Sequence, residues 1–460
     1  MGFFLSVLYF VTYYLTPATI FGPLAAYRIE LILAVLIFFV SPPKLLGSFI
    51  LKTPQSIALI GLAFATLLSV LVGAHWAGGG LQAFLLFIPN AYGYFLVCLH
   101  CNSKKRLRAV VLMLLFVCLF VIAHGYADLQ RQSSVNVSDL PSDDQGPALE
   151  TSYLFPQKND AGEWILRVRG LGQINDPNDF AQLIVCLLPL MFIFWTPKKT
   201  LRNAVFVMLP VCALLFGVFL THSRGALVAL LAMAIVAVRP RIGTLPALMV
   251  GLVVFVTATA LQFTGGRDIS ANAGEDRTDL WGESLQLLKS HPVFGVGFGN
   301  LPDYLGYTAH NSVALCAAEL GATGLYFWSL FLLPTVRDVL TIASPAKLSE
   351  GEPIILKKEP FPQMARKIEL IDKGEICRFG RLLLLSLTGF LVAGWFLSRA
   401  FVMTLFLLGG FIEVAFEMAL QRGMTSPRLP AARVLLYAGV LAILMVLLLY
   451  ILLRIVNLTR

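Results

Sequence analysis

Residues 265–324 have the sequence GGRDISANAGEDRTDLWGESLQLLKSHPVFGVGFGNLPDYLGYTAHNSVALCAAELGATG, a polar loop that leads into an apolar helix. This stretch lies between two apolar runs that are long enough to cross a membrane. Its basic and histidine side chains are Arg267, Arg277, Lys289, His291 and His310. We therefore expect most of the chemistry of this chain to lie here.

The apolar helix that begins near His310 has a row of small residues beneath that histidine. Steps of four and three residues lead from it to Ala314, Ala317, Gly321 and Gly324. Such a row lets another helix approach closely. His310 is then expected at the membrane edge, where an imidazole can accept a proton from a hydroxyl at neutral pH. The alternative is that His310 only marks the start of a helix at the interface.

The polar part of the stretch predicts an amphipathic helix from Asp276 to Lys289 that either lies on the membrane or forms a lid. The residues that share one side of this helix are Leu280, Trp281, Ser284, Leu285 and Leu288. Arg277 lies in its first turn and is expected at the outer surface. The glycines that follow, Gly295-x-Gly297-x-Gly299, have no strand before them. They predict a tight turn and not a dinucleotide-binding loop.

The composition of the whole chain is that of an integral membrane protein. Of 460 residues, 58% are hydrophobic and 13% are charged, with a mean hydropathy of +0.79, which is far more apolar than a soluble domain. The net charge of +9 fits basic cytoplasmic loops. We expect no nucleic-acid partner, because no basic face interleaved with aromatic residues is present.

Apolar runs of membrane-spanning length predict an all-α, polytopic fold with about 12–13 transmembrane helices. The runs lie near residues 4–22, 29–46, 55–74, 81–101, 107–125, 180–196, 203–221, 225–239, 245–263, 310–335, 381–398, 400–420 and 434–453. The second and eighth runs are short, so that twelve spans and thirteen spans both fit.

Lys and Arg clusters occur on alternate loops, which predicts that those loops are cytoplasmic. By exclusion, two long loops face the other side. The predicted division is therefore N-terminal transmembrane helices in 1–125, a first outer loop in 126–178, central transmembrane helices in 179–263, a second outer loop in 264–309, a transmembrane helix carrying His310 in 310–335, a cytoplasmic loop in 336–380 and C-terminal transmembrane helices in 381–460.

Two features upstream of the central stretch also suggest anion binding. Asp176 followed by Pro177 and Asp179 predicts a capped helix start, and the positive end of such a helix favours an anion. Arg224 separates two apolar runs and is expected at the outer membrane boundary, where its fork suits phosphate oxygens. The alternatives are an ordinary capped helix and an arginine that snorkels to the interface.

The order of these motifs resembles the O-antigen ligase and O-antigen polymerase superfamily, in motif detail over residues 165–335. The matching pieces are Asn175-Asp176-Pro177-Asn178-Asp179-Phe180-Ala181 after Arg169, Ser223-Arg224-Gly225-Ala226, Arg277 followed by Trp281, His291-Pro292-Val293-Phe294-Gly295-Val296-Gly297-Phe298-Gly299, His310-Asn311-Ser312, and Glu319-Leu320-Gly321 with Gly324.

The resemblance implies roles for these residues. His310 would accept the proton of an acceptor hydroxyl, Arg224 and Arg277 would bind a departing diphosphate, and Arg169 and Arg267 would be lesser contributors. The supporting residues would be Asn311, Trp281, Asn175 and Asn178. We expect no metal and no cofactor, because the outer loops show no Asp pair close to a His at metal-ligand spacing.

The resemblance also implies a reaction and a location. The chain would lie in a bacterial inner membrane with its active site facing the periplasm, so that both outer loops are periplasmic. It would transfer a glycan, with inversion, from undecaprenyl diphosphate to a hydroxyl of lipid A core, protein or growing glycan. A lipid-linked glycan flippase or another transporter is the alternative, although a transporter would place charged groups along an internal path.

Three carboxylates inside predicted spans, Glu319, Glu413 and Glu417, are open to a functional role or to structural pairing with arginine. The seven cysteines avoid both outer loops, so we expect no disulfide framework. Cys98-x-x-Cys101 has no second ligand pair and predicts no metal site.

Overall fold

The structure, a computed structural model, describes residues 1–41, 52–132, 152–159, 161–260, 263–265, 275–344, 372–425 and 427–459. Helices dominate these ranges, and the two strands found in them form one small antiparallel sheet. The predicted all-α, polytopic class is confirmed. The predicted site residue Arg267 lies outside the described residues.

The longer helices correspond to the predicted apolar runs and to the predicted amphipathic segment. They are α1 (Gly2–Leu15), α2 (Ile29–Val40), α3 (Pro54–Leu68), α4 (Ala77–His100), α5 (Lys104–Gln132), α6 (Pro177–Leu190), α7 (Leu209–Thr221), α8 (Arg224–Ile242), α9 (Thr244–Ala260), α10 (Glu275–Ser290), α11 (Ser312–Ala343), α12 (Lys373–Gly394), α13 (Met403–Gln421) and α14 (Ala431–Thr459). Shorter helical turns are Pro17–Ile20, Gly22–Tyr27, Ser69–Gly73, Gly172–Ile174, Met191–Phe194, Thr200–Asn203, Ala204–Met208 and Leu301–Leu305.

Membrane-spanning capacity follows from helix length and composition. Counted with the turns that continue them, ten helices in the described part of the chain are long and apolar enough to cross a membrane, namely α3–α8 and α11–α14. The apolar helices α1, α2 and α9 are shorter. Each of the predicted apolar runs coincides with one of these helices.

Several helices begin where a polar side chain caps the first turn. The Asp176 carboxylate accepts the backbone N–H of Asn178 at 2.7 Å, directly before α6. The Ser223 hydroxyl accepts the N–H of Ala226 at 3.3 Å, directly before α8. A capped helix start satisfies donors that have no partner within the helix. The start of α6 agrees with the prediction from Asp176 and the proline after it.

The first of two compact units comprises the described residues of Met1–Ser41, Lys104–Ile269 and Leu385–Ala393. It contains a β-hairpin in which β1 (Leu154–Lys158) pairs antiparallel with β2 (Trp164–Val168). The side chain of Asn159 accepts two backbone N–H groups across the turn, which fixes it. The sequence analysis predicted a helix start in this region but missed the hairpin.

The second compact unit comprises the described residues of Pro42–Ser103, Ser270–Leu384 and Gly394–Arg460. Helix α11 is its central element and packs against α3, α10, α13 and α14. The amphipathic helix predicted from Asp276 to Lys289 is present as α10. Trp281 and Ser284 on its apolar side are buried, as that prediction requires.

Helix α11 is interrupted at Gly321, whose φ of 63° and ψ of −158° are not helical. The loop before the helix pairs with the backbone exposed by this break. Val296 N–H donates to the Ala318 carbonyl at 2.9 Å, and Ala322 N–H donates to the Pro292 carbonyl at 2.8 Å. A Cβ on Gly321 would lie 2.6 Å from the Val293 carbonyl group, so only glycine fits here.

This break corrects the expectation of a continuous row of small residues below His310. The helix begins at Ser312 and not at His310, and at Gly321 the small residue admits the backbone of a loop where another helix was expected. The tight turn predicted around Gly295 is present, but it also fills a gap in α11. The sequence pattern alone does not distinguish these two uses of a small residue.

Candidate functional site

A left-handed residue followed by a polar cap precedes α11. His310 has a φ of 49°, which is uncommon for a residue other than glycine. The side chain of the buried Asn311 accepts the N–H groups of Val313 at 2.8 Å and Ala314 at 3.0 Å. Asn311 is therefore the cap of α11, and His310 lies one residue outside the helix. Asn311 thereby sets the direction in which the chain leaves His310.

A loop after α12 holds the backbone on the other side of His310. The His310 N–H donates to the Ser398 hydroxyl at 2.8 Å, and the Asn311 side-chain amide donates to the Trp395 carbonyl at 3.0 Å. The Ser312 hydroxyl donates to the same loop. Three consecutive residues are thus bound to one loop, and this fixes the position of the His310 Cα.

We call the contacts of residues 310–312 with the loop after α12 the His310 clamp. Two tryptophans lie against each other next to it. Trp281 on α10 is 8% exposed, and its ring centroid is 6.0 Å from that of Trp395 at an interplanar angle of 79°. The Trp281 Nε1–H has no acceptor among the described residues. The structure therefore connects the predicted residues Trp281 and Asn311 through Trp395, which the sequence analysis did not identify.

Arg277 is the predicted phosphate-binding arginine of this unit. It is half-buried and lies in the first turns of α10, four residues before Trp281. Residues four apart on a helix share one face. The two side chains therefore leave the helix on the same side, about 6 Å apart along its axis.

In the first unit, the arginines before α6 hold the hairpin and the helix start. Arg167 is 1% exposed. Its guanidinium donates to the Thr221 carbonyl at 2.7 Å, to Gln157 Oε1 at 2.7 Å and to Asn178 Oδ1 at 2.9 Å. Three such bonds to a buried charge make Arg167 a structural residue. The predicted supporting residue Asn178 acts here by holding this arginine.

Arg169, a predicted diphosphate ligand, is also buried. Its Nε donates to the Ser152 carbonyl at 3.1 Å and its Nη1 donates to the Asn175 carbonyl at 3.2 Å. Its guanidinium carbon lies 5.6 Å from the centroid of the Phe155 ring. The structure thus joins Arg169 to the predicted residue Asn175 through the backbone of that asparagine. Both arginines connect the hairpin to the segment that starts α6.

Arg224 is the first residue of α8 and is half-buried. Its cap, Ser223, is fully buried, and His222 before it is left-handed with a φ of 47°. The His222 Nδ1 lies 3.2 Å from the Phe263 carbonyl oxygen, and its ring contacts the Phe219 ring edge-on. Arg224 therefore lies at a rigid, positively polarised helix start.

The three carboxylates left open by the sequence have protein partners. The Glu319 carboxylate lies close to the backbone N–H groups of Gly299 and Leu301. Glu413 forms an ion pair with Arg428, and Gln421 donates to Glu417 Oε1 at 3.0 Å. These contacts favour structural pairing. Among the described residues, no group of three or more His, Cys, Asp and Glu side chains could hold a metal ion.

Trp395 and Ser398 are the site residues that sequence reasoning missed. Both lie in a run that we predicted to stay apolar and helical to residue 398, whereas α12 ends at Gly394. A signal was present, because Ser398 and Arg399 interrupt two long apolar runs. Polar residues between spans with almost no loop mark a place where the chain turns against other elements.

The fold is that of a polytopic helical membrane protein, and the candidate site residues include an arginine at a capped helix start in the first unit and a histidine at a capped helix start in the second. A comparison with protein families matches residues 209–329 to the family described as O-antigen ligase. The match covers α7 to the first part of α11 and includes Arg224, Arg277, Trp281 and His310. The resemblance to the O-antigen ligase superfamily is confirmed over this region. No curated protein matches the chain.

Proposed function

We propose that this chain transfers an oligo- or polysaccharide from undecaprenyl diphosphate to an acceptor hydroxyl. The observation that carries the proposal is the clamp around His310, in which its N–H is bound by Ser398 and its neighbour Asn311 caps α11. His310 and Asn311 lie inside the region matched to the O-antigen ligase family, and Ser398 lies outside it. A histidine with a fixed backbone is suited to general base catalysis, which requires defined geometry.

The proposed reaction is a single displacement at the anomeric carbon. The acceptor oxygen forms a bond to that carbon while the bond from the carbon to the phosphate oxygen breaks. The electron pair leaves with the lipid diphosphate, and the acceptor proton passes to the His310 imidazole. One displacement of this kind inverts the configuration of the anomeric carbon.

Arg224 and Arg277 are the proposed ligands of the departing diphosphate, with Arg169 and Arg267 as lesser contributors. Guanidinium groups bind phosphate oxygens in a two-pronged manner and stabilise charge that develops on the leaving group. Their action does not require a metal, so activity is expected to persist in EDTA. Activity that EDTA removes and added Mg²⁺ or Mn²⁺ restores would contradict this part of the proposal.

The proposed location is the inner membrane of a bacterium, with the active site facing the periplasm. The acceptor is a hydroxyl of lipid A core, of a protein or of a growing glycan. The family match supports the class of reaction, and the ten candidate spans among the described residues support a multi-pass membrane protein.

The experiment is reconstitution of the purified chain in liposomes with a lipid-diphosphate glycan and each candidate acceptor in turn. We expect free lipid diphosphate and glycosylated acceptor to appear in equal amounts. The alternative class, a lipid-linked glycan flippase, predicts movement of the glycan lipid between leaflets and no glycosylated acceptor. That result would overturn the proposal.

A further inference from the structure

A buried hydrogen-bond donor next to the His310 clamp has no protein partner among the described residues. It is the indole N–H of Trp281, whose side chain is more than nine-tenths buried. Trp328 in the same unit provides the contrast, because its indole N–H donates to the Ala400 carbonyl at 3.0 Å. Buried donors are normally satisfied. Trp281 is one of several buried groups in the described part of the chain without a partner, and its N–H is therefore available to an acceptor on a ligand.

The second tryptophan gives this position an aromatic surface. Trp395 is only half-buried, and it meets Trp281 in an edge-to-face arrangement. In such a pair, the ring that supplies the edge keeps its own faces for other contacts. The carbonyl of Trp395 is held by Asn311 at 3.0 Å, so the ring is attached to a fixed backbone. An aromatic face beside a hydrogen-bond donor suits a ligand with both C–H and oxygen groups.

The position of the pair narrows the class of ligand. Trp281 lies one helical turn after Arg277 on the same side of α10, about 6 Å along the axis. This rise is comparable to the distance from the bridging oxygen of a diphosphate to the centre of a sugar ring attached to it. Through Trp395, the pair is also connected to Asn311, the neighbour of His310. A group placed here would lie between a phosphate ligand and a base.

We infer that Trp281 and Trp395 form a subsite for the sugar that is attached directly to the diphosphate of the donor. This inference rests on the proposed function and adds a part of the donor that the tryptophans recognise. The C–H face of a pyranose packs on an indole ring, and a sugar oxygen accepts the Trp281 N–H. A polyprenyl chain would satisfy the ring but not the N–H, because it carries no acceptor.

The test compares two lipids on one purified protein in detergent. The probes are undecaprenyl diphosphate and undecaprenyl diphosphate that carries a single N-acetylglucosamine. We expect Trp281→Phe, which keeps a ring and removes the N–H, to bind the sugar-bearing lipid about 3–10-fold more weakly, the usual effect of one hydrogen bond. Binding of the lipid without sugar should stay unchanged. Trp395→Leu should weaken binding of the sugar-bearing lipid at least as much.

Trp328→Phe is the matched control, because it makes the same substitution at a tryptophan whose N–H has a partner. It should lower the thermal unfolding temperature and leave the ratio of the two lipid affinities unchanged. Trp281→Phe should change the ratio of the two lipid affinities and leave the thermal unfolding temperature unchanged, since its N–H has no described protein partner to lose. This opposite pattern separates recognition of a ligand from support of the fold.

Each outcome decides the inference. Equal weakening for both lipids in Trp281→Phe would mean that the tryptophan only supports the neighbouring elements, and it would overturn the sugar subsite. An unchanged affinity for the sugar-bearing lipid would do the same. If the wild type binds both lipids equally well, the sugar subsite is wrong, but the proposed transfer reaction is not contradicted. If the wild type binds neither lipid, the proposed function falls as well.

Discussion

The helix starts at α8 and α11 use the same backbone device in different ways. Each has a histidine in the left-handed region, His222 with φ 47° and His310 with φ 49°, followed at once by a polar cap. Before α8, the imidazole takes part in holding the turn, since it contacts the Phe263 carbonyl and the Phe219 ring. Before α11, the backbone N–H of the histidine is held by the Ser398 hydroxyl.

The difference indicates which side chain each turn presents for chemistry. In the turn before α8, the histidine supports the structure and the first helical residue, Arg224, has the proposed chemical role. In the turn before α11, the residues around the histidine support the structure, and the histidine itself has the proposed chemical role. Two similar sequences, a histidine followed by a cap, thus lead to different hypotheses about which residue acts on the substrate.

The largest expected effect tests the turn before α11. His310→Ala should lower the rate of transfer roughly 10²–10⁴-fold, the usual range for a positioned general base. His310→Asn is the matched variant, because asparagine tolerates the left-handed conformation better than alanine. Both variants should lose activity alike and still bind the donor lipid, measured on the same preparations. Normal transfer by either variant would remove His310 from the mechanism.

A pH profile sharpens the same test. The wild-type transfer rate should fall on acidification, because a protonated imidazole can no longer act as a base. Donor affinity should change much less. A rate that stays constant from pH 8 to pH 5.5 would argue against a histidine base.

The next effect concerns the turn before α8. Arg224→Lys should impair transfer nearly as much as Arg224→Ala, by about 10²-fold, because a point charge cannot reproduce a two-pronged contact with phosphate oxygens. The measurement is transfer at saturating acceptor over a range of donor concentrations. Full activity in the lysine variant would mean that charge alone is sufficient and would remove the proposed geometric role.

A smaller effect tests the clamp. Ser398→Ala removes the acceptor of the His310 N–H and should lower kcat about 10-fold. The imidazole is still present in this variant, but a small displacement of a catalytic group lowers the reaction rate. Donor affinity should be unchanged, and Ser398→Thr should restore most of the rate, since it retains the hydroxyl. A loss in stability with no change in kcat would show that the bond only supports the fold.

The smallest effect on transfer is expected for His222. His222→Asn keeps a residue suited to the left-handed turn and removes the contacts to Phe263 and Phe219. We expect a loss of about 1 kcal/mol in stability, the usual value of one such hydrogen bond, with transfer within a few-fold of wild type. Thermal unfolding and transfer are measured in parallel. A loss of transfer as large as that in the His310 variants would show that the two turns do not differ as described.

The sequence predicted those elements that follow from local pattern. Apolar runs located the membrane helices, and the amphipathic segment located α10, because both depend on residues near in sequence. The start of α6 was predicted from Asp176 and its proline for the same reason. The hairpin β1–β2 was missed, since strands of five residues in a polar region give a weak signal.

Features that depend on distant partners were not predictable. The break at Gly321 was missed because the helical spacing of small residues continues through it, and only the loop around Gly295 makes the break stable. The polar residues at Ser398 and Arg399 indicate a turn, but the roles of Trp395 and Ser398 come from contacts with His310 and Asn311, more than eighty residues earlier. The buried state of Arg169 likewise depends on tertiary contacts that its sequence neighbourhood does not contain.

The break in α11 also bears on how the chain is made. Gly321 lies nine residues after Ser312, about 13 Å along the helix. The backbone groups of its neighbours Ala318, Glu319, Ala322 and Thr323 form hydrogen bonds with the loop 291–300. Ribosomes make that loop first, so these hydrogen bonds cannot form until α11 has been synthesised. Unsatisfied backbone groups are not stable in lipid. Loop and helix must therefore enter their final positions together, which makes insertion of this part of the protein a single cooperative event during biogenesis.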